Sequence, residues 1–203
     1  MTSSSRGCVR GAWRRGRRPL GALVVAAFLS TSLVLATNRT RAAAPDHLPE
    51  YAVKAAFLYH FAHFVEWSAA RTDATTVTIG VLGKDPFGEI LDSAVLGKTV
   101  AGRRVTVRRF TTVEDLQPCD ILFVSSSEAA RLPEVLLRLG KYPVLTVGEA
   151  DRFARRGGMI GFFFEEGRVR LEVNVGAADA AGLHISAKLL SVARLVKREG
   201  GGR

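Results

Sequence analysis

The chain has 203 residues and a formal charge of +10, yet eight of its 29 basic residues and none of its 19 acidic ones precede Pro45. The remainder carries 21 basic against 19 acidic side chains, so it lacks the massed Lys and Arg field that tracks phosphates, and general nucleic-acid binding is excluded. A domain of about 150 residues buries roughly 70% of its unfolded surface, enough for one complete core.

Residues 1–44 read as a secretory signal peptide. Arg6, Arg10, Arg14, Arg15, Arg17 and Arg18 lead into an apolar run over 20–36, followed by small residues ending Ala42-Ala43-Ala44, which is the order of such a segment. The apolar run is interrupted by Ser30, Thr31 and Ser32 and falls short of the ~20 residues a spanning helix needs. Export and removal of residues 1–44 are therefore expected, leaving a domain over 45–203; the alternative reading is an uncleaved N-terminal anchor. Cys8 lies in the removed part, so the mature chain keeps Cys119 alone and forms no internal disulfide.

The stretch YAVKAAFLYHFAHFVEW, residues 51–67, holds no Gly or Pro and repeats apolar side chains at helical spacing through Val53, Phe57, Phe61 and Phe64. Leu58, Val65 and Trp67 widen that surface beyond one stripe, which predicts a helix buried on more than one side. Two readings stand for its aromatics: all fill the core, or part of Phe57, Phe61, Phe64 and Trp67 meets a partner or a second copy of the chain. Lys54 and Asn174 are the polar residues least expected in such apolar company. Their plain roles are a Lys reaching out to solvent along its stem and a strand-to-helix cap.

Short β-rich runs at 77–82, 105–110, 119–124 and 144–147 then alternate with helical patterns, which predicts a mostly parallel sheet flanked by helices in a single layered α/β domain. Asp85 with Pro86 reads as a helix cap, and Ser125 with Glu128 as a capping box before a helix ending near Gly140. A short helix is expected over 150–155. After Gly157-Gly158, strands at 159–164 and 168–175 lie too close together to be anything but a hairpin, so this edge should be antiparallel. A final amphipathic helix is expected over 178–196.

The chemistry of catalysis is mostly missing. Gly83 to Glu89 sits at a strand-to-helix turn but lacks the Lys and Ser or Thr that a phosphate loop places after its last Gly. His60, His63 and Glu66 recur every third residue, drift by ~60° per step, and have no fourth ligand, so no metal is expected. Ser125, Ser126 and Ser127 have no nucleophile elbow and no His placed beside them. No catalytic residue, cofactor or metal is assigned.

Three consecutive Phe residues, 162 to 164, cannot all face one core, because successive strand side chains alternate. With Glu166-Gly167 as the loop, Phe164 should pair with Val169, Phe162 with Leu171 and Ile160 with Val173 on the buried face. Phe163 then lies opposite Arg170, beside Glu165, Arg168 and Glu172. An aromatic ring among charges on a wet face suits a protein partner; a cation–π cap by Arg170 is the plainer account.

Taken in order, KAAFLYHFAHFVEW, IGVLGKDPFG, CDILFVSSSE, PVLTVGE, FARRGGMIGF and VRLEVNVGAADAAGLHISAKLL resemble the YfiR family, also called YfiR/HmsC, across residues 50–196. The resemblance implies a periplasmic, non-enzymatic repressor that binds the periplasmic domain of an inner-membrane diguanylate cyclase, lowering cyclic-di-GMP, exopolysaccharide and biofilm formation. It also implies an outer-membrane lipoprotein that sequesters the repressor. Characterised relatives use disulfides, which this chain cannot form within itself. The other reading is a small-ligand binder using the crevice at the strand carboxyl ends, where Lys84, Asp85, Ser125, Ser126 and Ser127 gather.

Overall fold

The computed structural model describes residues 47–67, 75–140 and 142–199; the expected signal segment lies outside the described residues. Helix α1 (His47–Phe64) comes first, followed by strand β1 (Val65–Trp67). Then come β2 (Thr76–Leu82), α2 (Glu89–Val95), β3 (Thr99–Val100), β4 (Arg103–Phe110) and β5 (Ile121–Val124). A 3-10 turn (Ser126–Arg131) leads into α3 (Leu132–Leu139), and β6 (Leu145–Gly148), β7 (Ile160–Glu165) and β8 (Arg168–Val173) follow. The chain closes with α4 (Val175–Ala180), β9 (Leu183–Ile185), α5 (Ala187–Leu190) and β10 (Arg194–Leu195).

Eight strands form one sheet in the order β10-β8-β7-β6-β5-β2-β4-β3. β4, β2, β5, β6 and β7 run parallel, while β3 joins β4 and β8 joins β7 in the antiparallel sense. The central strands β2, β5 and β6 are buried on both sides, and alternate residues feed two cores. Ile79, Val81, Ile121, Phe123, Leu145 and Val147 pack with α1 and α2 on one face. Leu82, Leu122 and Val124 pack with Leu132 and Val135 of α3 on the other. The domain is thus a layered α/β fold with a mostly parallel sheet, as expected.

The hairpin register is the one read from the sequence: Phe164 opposite Val169, Phe162 opposite Leu171, Ile160 opposite Val173 and Phe163 opposite Arg170. Its two-residue loop puts Glu166 at φ 51° and Gly167 at φ 73°, the left-handed pair that matches the twist of the strands.

Several expectations are corrected. The helix over 51–67 ends at Phe64, and Trp67 lies in β1, paired antiparallel with β9 through Val65–Ile185, Glu66–His184 and Trp67–Leu183. The single helix over 178–196 is broken into α4, β9, α5 and β10, because Gly182 at φ 72° ends the first piece and Ser186 caps the next, accepting from the Leu189 N–H at 3.4 Å. The outermost strand beyond the hairpin is therefore β10, parallel to β8. Asp85 does not cap α2, whose N-cap is Gly88; its carboxylate closes a local turn by accepting from the Phe87 N–H at 2.8 Å.

Residues 150–155 form turns rather than a helix, and they wrap the buried ring of Phe153. Gly148 and Gly158 flank that ring so closely that a Cβ at either position would run into it. Gly158→Ala should accordingly cost about 1–3 kcal/mol through overpacking, read as a lower urea midpoint with an unchanged slope.

Candidate functional site

The carboxyl ends of the parallel strands gather three groups of residues. At the first, β2 lies between β4 and β5, so the order of connection reverses there and a crevice is expected. The Lys84 N–H donates to Ser127 Oγ at 3.0 Å, and buried Ser125 accepts from the Ser127 N–H at 3.4 Å, capping the 3-10 turn. Ser126 is exposed. Asp85 turns aside and accepts from Arg109 Nε at 2.6 Å, and Arg109 also pairs with Asp92. That hydrogen bond from Arg109 holds the Asp92 carboxyl below its usual range. The structure thus brings Lys84, Ser125 and Ser127 together but fills the space between them, since a Cβ on Gly83 would meet Ser127 and Glu128.

The second group was not assigned from the sequence. Lys54 is 5% exposed, so it does not reach solvent as expected. Its Nζ lies 2.5 Å from Glu50 and 2.6 Å from Glu149, the residue following β6. Tyr51 Oη donates to Glu149 at 3.5 Å, and the Lys54 ammonium sits 4.6 Å from the Tyr51 ring centroid. Burial opposes the ammonium, but the hydrogen bonds to Glu149 and Glu50 prevail and raise the Lys54 pKa. Burial, then the Glu149 charge, raises that of Tyr51. The four groups clamp the first helix to the sheet's carboxyl edge. The Glu50–Lys54 spacing of four was a legible helix pair; Glu149, a lone acid after a buried strand, carried no signal.

The third group is the hairpin. Phe163, Glu165, Arg168 and Arg170 share one face by register, as expected. Phe163 is half-buried under Arg194, whose guanidinium lies 4.5 Å from the ring centroid and bonds Glu165 at 2.7 Å. The cation that covers the ring is therefore Arg194 of β10 and not Arg170. Arg155 joins the same network through Glu172 at 3.2 Å. Phe163, Arg155, Glu172 and Arg194 line a cleft of about 430 Å³. Arg194 was missed because the segment carrying it reads as a helix.

Phe164 is 60% exposed rather than packed inside. β6 pairs with β7 only as far as Gly161, so the hairpin tip projects past the sheet edge. Among the helix aromatics, Phe61 is fully buried and stacks on Phe57 and Phe162 at about 6 Å. Phe57, Phe64 and Trp67 are partly buried against the core. His60 and His63 are exposed and flank the Tyr59 ring. Asn174 fills its expected role, accepting from the Ala177 N–H at 3.1 Å and donating to the Ala154 carbonyl at 2.9 Å.

In open, mostly parallel α/β sheets the strand carboxyl ends are where ligands sit, and the polar clusters lie at those ends here. One solved structure that the fold resembles is the ABC domain in complex with L-Trp from Streptococcus pneumonia. It is 14% identical with a TM-score of 0.50, over 70% of this chain and 60% of that one. Another is a conserved domain protein from Vibrio cholerae, 16% identical with a TM-score of 0.46, over 59% of this chain and 54% of that one. This chain thus spans less than two thirds of either. No curated protein matches its sequence. Residues 51–194 match the YfiR/HmsC-like family model, and the chain belongs to that family. The family is regulatory and non-catalytic, acts in the periplasm, and works through a partner protein. Among the described residues no helix is long and apolar enough to cross a membrane.

Proposed function

We propose that this chain, exported and freed of residues 1–44, represses an inner-membrane diguanylate cyclase by binding its periplasmic domain, without enzymatic activity of its own. Cyclic-di-GMP falls, and exopolysaccharide and biofilm with it. The family match supports the class of function; the observation that carries the binding surface is the hairpin face, where Phe163 lies beside Arg168 and Arg170. Interface cores favour aromatics and Arg. An outer-membrane lipoprotein that sequesters the repressor is the second partner. Phe57, Phe64 and Trp67 remain as a secondary contact surface for the partner or a second copy. Deleting the gene should raise cellular cyclic-di-GMP under biofilm-forming conditions, and an unchanged level would sink the reading.

A small ligand is the second reading, favoured by the cleft of about 430 Å³ beside Phe163, a volume within the range of small-molecule sites. It would act by modulating the same hairpin surface. A ligand that raises the melting temperature of the wild-type domain but not of Arg155→Ala would favour this arrangement.

A further inference from the structure

β10 covers the outer edge of β8 only opposite Glu172 and Val173. The Asn174 N–H bonds the Met159 carbonyl on the β7 side, while the Val173 carbonyl accepts from Val196 on the far side. Backbone groups alternate direction along a strand, so Arg168 and Arg170 turn their N–H and C=O toward β7, and Val169 and Leu171 turn theirs outward. The outward groups of Val169 lie beyond the reach of β10 and find no strand partner among the described residues. This is an open rung, the kind of edge that accepts another chain.

The side chains around that rung say what kind of chain fits. Arg168 and Arg170 are exposed on one face and have no ion-pair partner among the described residues. Exposed Phe164 and half-buried Val169 stand on the other face. A second copy docked edge to edge would set Arg168 and Arg170 against their own counterparts, which like-charge repulsion disfavours. We propose that the Val169 edge of β8 receives an extended, acidic segment of a partner protein as an added strand, its acids facing Arg168 and Arg170 and an apolar residue lying on Val169 beside Phe164. The proposal rests on the chain's being a protein-binding regulator and specifies how it grips its partner.

The test uses the mature domain and two blocked nine-residue peptides, one alternating Glu with Val and the other Lys with Val, with binding read by fluorescence anisotropy. The Glu peptide should bind and the Lys peptide should not. Arg168→Glu/Arg170→Glu should invert that preference, and Val169→Pro, which removes one outward donor while sparing the bonds to β7, should weaken the Glu peptide about tenfold. Thermal melts of both variants establish that they are folded; should Val169→Pro unfold, the charge reversal decides alone. Equal binding of both peptides, no binding up to about 1 mM, or a dimer abolished by Val169→Pro would overturn the proposal. In cells, full repression by Arg168→Glu/Arg170→Glu at wild-type abundance would overturn the edge and leave the repressor standing. An unchanged cyclic-di-GMP level on deletion would remove the repressor while peptide binding still decides the edge.

Discussion

Lys54→Met should destabilise the domain by about 3–5 kcal/mol, because it leaves carboxylates in a dry site without their cation. The Glu149 side chain is only 9% exposed, and without Lys54 it would face the Tyr51 hydroxyl at 3.5 Å instead of an ammonium. Glu50, at 23%, can turn toward water. Lys54→Met/Glu149→Leu should therefore recover most of the loss, since an apolar pair of similar volume replaces a buried ion pair at little cost. The sign of the pH dependence follows from the raised Lys54 pKa. A group whose folded pKa exceeds its unfolded value stabilises fully below the unfolded one, about 10.4 for lysine. Its contribution then fades as pH climbs through the higher folded value. Urea denaturation should thus show the gap between wild type and Lys54→Met closing as pH rises above about 10.4. A gap that persists unchanged at pH values where the lysine has lost its proton would show that the clamp is not held by the Lys54 ammonium.

Phe162→Ala and Phe163→Ala should part company although the residues are adjacent. Phe162 is 3% exposed and touches Phe57 and Phe61, so truncation should cost about 3–5 kcal/mol, the usual figure for a buried Phe. Phe163 is half-buried and mainly loses the Arg194 contact, worth about 0.5–1 kcal/mol at such a site. Partner binding should weaken with Phe163→Ala while the fold persists. A Phe163→Ala domain less stable than Phe162→Ala would mean that the outer face is structural and no docking surface.

Much of the hairpin was legible because a strand has only two faces. Once Glu166-Gly167 is taken as the loop, alternation fixes every pair from Phe164–Val169 to Ile160–Val173. Packing depth is another matter. Phe164 has the right parity for the core but stands beyond the end of β6, and nothing local reports where a neighbouring strand stops. The segment 178–196 misled for a related reason: Ile185, Leu189, Val192 and Val196 keep a helical spacing, and a single Gly at position 182 is a weak breaker in isolation. Its effect becomes decisive only because β1 offers Leu183 and Ile185 a strand to pair with, a contact from the other end of the chain. The Lys54 clamp shows the same limit. Its half within one helix could be read at four-residue spacing, whereas Glu149 is brought in by tertiary structure alone. In the predicted crevice the residues do meet, but Ser127 Oγ is taken by the Lys84 backbone N–H and Asp85 prefers Arg109.

The packing of α1 against the hairpin has a kinetic side. Phe57 and Phe61 find their partner Phe162 about a hundred residues later, and Lys54 waits 95 residues for Glu149. The helix is made first and buried late. Closing loops of that length before any contact rewards them slows folding, so a chain emerging amino end first carries an aromatic helix covered on one side alone until β7 and β8 have followed. Such a helix is a ready handle for a holding chaperone. Variants that weaken the hairpin should thus lower yield by lengthening this exposed interval, beyond what their equilibrium stability alone would account for.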